Sequence, residues 1–243
     1  MECYTSKALQ TNPIMTTISA NLQAVRARIS EAARNCGRTP EDIRLLAVSK
    51  TWPAACVLEA ARAGQKAFGE NYVQEGADKV REIARPDFEW HFIGPLQSNK
   101  TRPVAEAFQW VHSVDRLKIA ERLSQQRPDH LPPLQVCLQV NISNENTKSG
   151  IALEDVPTLA QQITHLPRLT LRGLMAIPAP SSGFEQQRLP FRQLRELFEQ
   201  LNRHGLGLDT LSMGMSNDIE AAIAEGATLI RVGTAIFGER NGS

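Results

Sequence analysis

The chain has 243 residues, and 27 Lys and Arg stand against 26 Asp and Glu, for a net charge of +1. That balance excludes the strongly basic face of a nucleic-acid or anionic-membrane binder, and no apolar run is long enough to span a bilayer. Cys3, Cys36, Cys56 and Cys137 have neither disulfide-frame nor zinc-site spacing and fit reduced thiols, so a cytoplasmic location is expected.

The opening MECYTSKALQTNPI is polar, with no apolar core of signal-peptide type. Residues 1–14 are expected to be a disordered extension, with Met15 as an alternative start, and residues 15–243 to form one domain. From Ile18 the apolar residues Leu22, Val25, Ile29 and Ala33 keep a helical period that Gly37 ends. Thr39-Pro40-Glu41-Asp42 reads as a capped turn leading into Ile43-Arg44-Leu45-Leu46-Ala47-Val48-Ser49-Lys50. This nearly continuous apolar run is the strand of a parallel sheet covered on both faces. It ends on Lys50, at the strand end where α/β folds keep their ligands.

The alternation then continues along the chain. A helix over 53–63 leads to a strand over 67–69 ending in Glu70-Asn71, and a helix over 72–83 follows. The strand 89–93 runs into the loop Gly94-Pro95-Leu96-Gln97-Ser98-Asn99-Lys100. A further helix leads to the strand 110–114, and the helix to Gln126 has Ser113 or Asp115 as its expected cap. The strand 134–141, a polar loop over 144–150 and a helix over 156–164 come next. The strand 169–177 precedes a Pro/Ser/Gly loop over 178–183 that reads as long and mobile. A helix over 191–202, a strand over 209–213, a helix over 217–224, a strand over 227–232 and a last helix from Thr234 complete the chain. Eight strands alternating with helices in this length fit a single-domain (β/α)8 TIM barrel better than the doubly wound alternative. The first helix is expected to plug or flank the barrel floor.

In a barrel the strand ends gather Lys50, Asn71, the Gly94 loop, Ser113, Asn141, Met175, Ser212 and Arg231 on one face. Ser212-Met213-Gly214-Met215-Ser216 and Arg231-Val232-Gly233-Thr234 each join a strand to a helix. Unpaired backbone N–H groups there suit an anion, and phosphate sites in barrels often follow strands seven and eight; plain capping by Ser216 and Thr234 is the bland reading. A desolvated Lys50 has a lowered pKa and attacks carbonyls; a buried stem with the head snorkelling out at the strand end is the bland reading. An aldehyde and a phosphate on one ligand point to pyridoxal 5′-phosphate (PLP). Arg231 would then meet the pyridine nitrogen and keep it unprotonated, unless it is a structural partner of Glu225. His91 reads as a satisfied core histidine and Tyr72 as a packing residue. Gln97, Asn99 and Lys100 would cap the mouth or meet a partner, and Lys148 would balance phosphate charge or be solvated.

Together Ala47-Val48-Ser49-Lys50, Phe68-Gly69-Glu70-Asn71-Tyr72, His91-Phe92-Ile93-Gly94-Pro95-Leu96-Gln97-Ser98-Asn99-Lys100, Lys148-Ser149-Gly150, Arg172-Gly173-Leu174-Met175, Met213-Gly214-Met215-Ser216 and Arg231 to Gly238 resemble the pyridoxal phosphate homeostasis protein family. The resemblance implies a barrel like the N-terminal domain of alanine racemase. It implies PLP held as an aldimine on Lys50, phosphate contacts near Ser216, Gly233 and Thr234, Arg231 at the pyridine nitrogen, and Asn71 and Met175 beside the cofactor. It further implies a non-enzymatic role in intracellular vitamin B6 and amino-acid homeostasis, with PLP-dependent apo-enzymes as partners and a monomer or weak homodimer. The alternatives are a minimal single-domain amino-acid racemase and a barrel enzyme using a Lys50 Schiff base on a phosphorylated sugar. No metal site is expected.

Overall fold

The structure, a computed structural model, describes residues 13–143 and 149–239. Residues 1–12, the greater part of the expected extension, and Lys148 of the polar loop lie outside the described residues. Eight parallel strands pair in chain order: β1 (Arg44–Val48), β2 (Ala67–Glu70), β3 (Glu89–Phe92), β4 (Trp110–Val114), β5 (Leu134–Val140), β6 (Leu169–Ala176), β7 (Thr210–Ser212) and β8 (Leu229–Val232). Strand β8 returns to β1, with Arg44 opposite Leu229 and Ala47 opposite Val232, and so closes the barrel. Closure sets the doubly wound alternative aside.

The helices are α1 (Pro13–Asn35), α2 (Ala54–Arg62), α3 (Val73–Ile83), α4 (Thr101–Ala107), α5 (Leu117–Gln126), α6 (Val156–Thr164), α7 (Phe184–Arg203), α8 (Ile219–Ala224) and α9 (Thr234–Phe237). Helix α1 lies on the flank of the barrel, not at its floor, because its buried stripe Leu22, Val25, Ile29 and Ala33 packs against α2, α8 and α9. Helix α9 has only four residues, and α1 packs on it and on the neighbouring α8. Asn21 fixes it there by donating to Ile236 O at 3.1 Å.

Two differences from the sequence reading have local causes. Helix α7 starts at Phe184, seven residues before the expected Phe191, and runs through Pro190. An interior proline removes one backbone hydrogen bond and costs about 3 kcal/mol. Offsetting it, Phe191, Leu194, Leu197 and Leu201 are buried, and Arg188, Arg192 and Arg195 converge on the buried Glu225 at 2.7, 3.2 and 3.3 Å. Helix α5 is entered through Arg116 in extended backbone with no side-chain cap, so neither Ser113 nor Asp115 caps it.

The side chains divide into two layers. Outward-facing residues form the apolar layer under the helices, where Phe68, Phe88 and Trp90 touch one another and Phe92 meets Phe108 edge-on at 5.5 Å. Each fully buried side chain of this kind contributes about 1.5–3 kcal/mol. The barrel interior differs from the branched aliphatic layers usual in this fold. His91 stacks on Trp110 at 5.3 Å, and the Arg44 and Arg172 guanidinium groups stand 5.8 and 5.0 Å from the Trp110 ring.

Candidate functional site

Alternation along the strands turns the residue at each carboxyl end inward. The result is a cavity of about 400 Å³ at the barrel mouth, lined by Lys50, Asn71, Ser216, Arg231, Gly233 and Thr234 among others. Six of the seven residues expected from the sequence therefore meet around one space. Met175 does not line it: it lies one layer deeper on β6, wholly buried against Trp110 and Cys137.

Lys50 is half-buried, two residues beyond Val48, the last residue of β1. The backbone on both sides of it is held by one buried ionic cluster. The Lys79 ammonium donates to Ser49 O at 2.7 Å, to Glu70 at 2.9 Å and to Glu75 at 2.7 Å. Ser49 Oγ donates to Glu70 at 2.6 Å, and Glu75 accepts the Thr51 N–H at 2.5 Å. Thr51 has φ of +66°, a strained value for a β-branched residue, and the Glu75 contact holds it there. Burial raises the Glu70 carboxyl above its ordinary range, against the lowering effect of Lys79 and Ser49. At the end of β2, the strand paired with β1, Asn71 Oδ1 is buried without a hydrogen-bond partner among the described residues. Gly94 makes room for that turn: a Cβ there would stand 2.0 Å from Asn71 O.

Another part of the cavity lining comes from the turn after β7 and the start of α9. Ser216 is not the cap of α8; Asp218 occupies that position. Asp218 Oδ1 accepts the Met215 N–H at 2.5 Å, and Asp218 N–H closes the turn onto Met215 O at 3.1 Å. Among the described residues, no carbonyl or side chain accepts from the N–H groups of Ser216, Asn217 or Gly233. Open amides clustered in a turn suit an anion. Arg28 of α1 ties this turn down, donating to Ser216 O at 2.7 Å and pairing with Glu220 at 2.6 Å.

Arg231 forms part of the floor. It does not pair with Glu225, which the α7 arginines occupy. Its Nη1 donates to Ser212 O at 2.6 Å and Ser212 Oγ at 2.8 Å, and its Nη2 to Ala176 O at 3.0 Å. Burial pushes its pKa down to about 10, so it stays charged at neutral pH.

Other sequence-derived expectations separate here. His91 is fully buried and bonded on both ring nitrogens, as a core histidine. Tyr72 is 52% exposed and does not pack, because it precedes α3 in extended backbone. Gln97, Asn99 and Lys100 do not line the cavity. The sequence reading missed the wall from Ile177 to Ser181, the α7 residues Gln187, Pro190 and Phe191, and Asp218. It also missed the cluster behind Lys50, although Glu75 and Lys79 stand at the i, i+4 spacing of a helical ion pair.

A family model described as the alanine racemase N-terminal domain matches residues 20–241. Pyridoxal phosphate homeostasis proteins of Pseudomonas aeruginosa and Escherichia coli are 62% and 58% identical, covering 93% of this chain and 97% and 98% of theirs. PipY of Synechococcus elongatus, solved with PLP bound, superposes with a TM-score of 0.80 at 38% identity, over 91% of this chain and all of that one. Alanine racemase from Corynebacterium glutamicum shares the fold, with a TM-score of 0.69 at 14% identity, over 93% of this chain and 61% of that one.

Proposed function

From the premise that the chain belongs to the pyridoxal phosphate homeostasis proteins, we propose that it binds PLP at the barrel mouth and serves intracellular PLP homeostasis as a cytoplasmic carrier or buffer. The observation that carries this reading is one cavity lined together by Lys50, Asn71 and the residues Ser216, Asn217 and Gly233, whose amides are open among the described residues. That donor set fits the group: an amine for an aldehyde, backbone N–H and hydroxyl donors for a phosphate, and an unpartnered Asn71 Oδ1 for a ligand donor. When bound, PLP supplies an aldehyde that condenses with amines and a ring that accepts electrons.

The residues of this chain then divide the work. Lys50 Nζ bonds the aldehyde carbon, with water leaving, and the cluster behind it fixes the strand end from which it reaches. Ser216, Gly233 and Thr234 hold the phosphate. Arg231 faces the ring nitrogen and keeps its own proton, so the ring remains a poor electron sink. Inversion at an α-carbon needs proton transfer on both faces. Among the described cavity residues the titratable groups are Lys50, Asp218 and Arg231, and Asp218 is committed to the Met215 amide. This supports binding and release without racemase turnover, with PLP-dependent apo-enzymes as the takers.

Purified protein treated with PLP is expected to absorb in the visible region and to lose that band on borohydride reduction, with the tag mapping to Lys50. A tag on another lysine, or no uptake, would refute the reading. Loss of α-deuterium from an amino acid at a catalytic rate, absent in Lys50→Ala, would establish the racemase instead.

A further inference from the structure

A chain of hydrogen bonds descends from the cavity floor through the barrel interior. Below Arg231, Ser212 Oγ and His112 Nδ1 are 2.7 Å apart. His112 Nε2 and His91 Nδ1 are 2.8 Å apart, and His91 Nε2 and Glu89 Oε1 are 2.7 Å apart. Glu89 also pairs with Arg44 at the lower end. Arg231, Ser212, His112 and His91 are all buried.

The donors and acceptors at the two ends fix the hydrogens between them. A guanidinium only donates, so Ser212 Oγ accepts from Arg231 and its single hydrogen is left for His112 Nδ1. An ionised carboxylate only accepts, and the Glu89 carboxyl is held at about 2 by His91 and Arg44 against the effect of burial; His91 Nε2 therefore carries a hydrogen. Burial lowers the pKa of both imidazoles, so each is neutral with one N–H. His91 Nδ1 is then bare and takes the hydrogen of His112 Nε2, which leaves His112 Nδ1 bare to meet Ser212. With neutral rings, a single arrangement satisfies all four contacts, and it points one way along the barrel axis.

We infer that His112 and Ser212 are positioning residues for Arg231: the one-way chain anchored on Glu89 presents Ser212 Oγ to the guanidinium purely as an acceptor. With Ser212 O and Ala176 O, this gives Arg231 three acceptors and, among the described residues, no group that would contest its hydrogens. The guanidinium is thus set in place before a ligand arrives. The consequence for the ligand rests on the PLP reading above; the chain itself does not.

The test has two arms. In the ligand-free protein, nitrogen-detected NMR of the histidine side chains at pH 7 is expected to show Nε2–H with bare Nδ1 on both His91 and His112. An Nδ1–H on either ring, or a charged ring, would overturn the inference. In the second arm Ser212→Ala is expected to bind PLP about tenfold more weakly, the scale of one lost hydrogen bond to a charged group, with a shifted absorption maximum and rescue by Ser212→Thr. Unchanged affinity and spectrum in Ser212→Ala would overturn the positioning role. Failure of wild-type protein to take up PLP would instead refute the proposed function and leave the histidine tautomers as the deciding result.

Discussion

Replacing Lys79 with methionine tests the cluster behind Lys50. The Glu70 side chain is 0% exposed and that of Lys79 is 7% exposed. Methionine keeps most of the apolar stem and removes the ammonium. Glu70 is left with Ser49 Oγ alone, its Oε2 already lacking a partner among the described residues. Breaking a buried pair from one side costs about 3–5 kcal/mol. At about 2–4 °C per kcal/mol for a domain of this size, the Tm should fall by about 6–20 °C. The sign of the pH dependence follows from Glu70, whose folded pKa is already raised by burial. Without Lys79 it rises further, so the unfolded chain releases the proton more easily than the folded one. The deficit is therefore full at neutral pH and shrinks as pH falls toward about 4.5, where the unfolded carboxyl also takes its proton. Thermal unfolding followed by circular dichroism at pH 5 and pH 8 reads both quantities. The double variant Glu70→Gln with Lys79→Met should recover most of the loss. A Tm change below about 2 °C, or an equal deficit at the two pH values, would refute the reasoning.

Gly94→Ala places a Cβ 2.0 Å from Asn71 O and forces the backbone apart; a loss of at least about 1–3 kcal/mol in urea unfolding is expected, with weaker PLP uptake because Asn71 moves. On acidification, wild-type stability should begin to fall below about pH 6.5, because His91 and His112 are held neutral in the folded state and protonate once unfolded. A second decline should follow as pH falls from about 4.5 toward the folded Glu89 value of about 2, and Glu89→Gln should remove that component from urea midpoints measured between pH 7 and 3. Arg28→Ala breaks an exposed pair with Glu220 and should cost less than about 1 kcal/mol. Its larger effect should be faster PLP release in stopped-flow absorbance, since Ser216 O loses its tether.

The outer layer of the barrel was legible because helices and sheet bury it with regular apolar periods. Trp90 and Phe92 mark one face of β3, and Leu194, Leu197 and Leu201 mark the stripe of α7. The interior was not legible by the same signal. In Glu89-Trp90-His91-Phe92 the polar residues point inward, so the alternation of a half-buried sheet reads with its faces exchanged. Glu89 and His91 are satisfied by side chains from β1 and β4, which no local window contains. The start of α7 was hidden because Pro190 reads as a breaker and the preceding turn exposes Phe184 and Leu189. Its Arg188 and Arg192 pair with Glu225, which follows α8 and stands 37 and 33 residues further along the chain. Lys50, Asn71, Ser216, Arg231, Gly233 and Thr234 could be placed together because strand ends in a barrel share one mouth. Met175 could not be placed, since the residue that reaches the rim is Ile177, two positions further and just past the end of β6.

One wall of the cavity is made by Pro178, Ala179 and Pro180 together with Pro190 of α7. The Ala179 N–H is held by Ser143 Oγ at 3.0 Å. Proline rings fix their φ angles in the unfolded chain as in the folded one. This wall therefore has little conformational freedom to surrender when a guest arrives. Preorganisation of that kind lowers the entropic toll of association and equally removes any reward for clamping shut. On the proposed aldimine at Lys50, a vessel built this way would hold its contents through that bond and let them go as readily as it is exchanged.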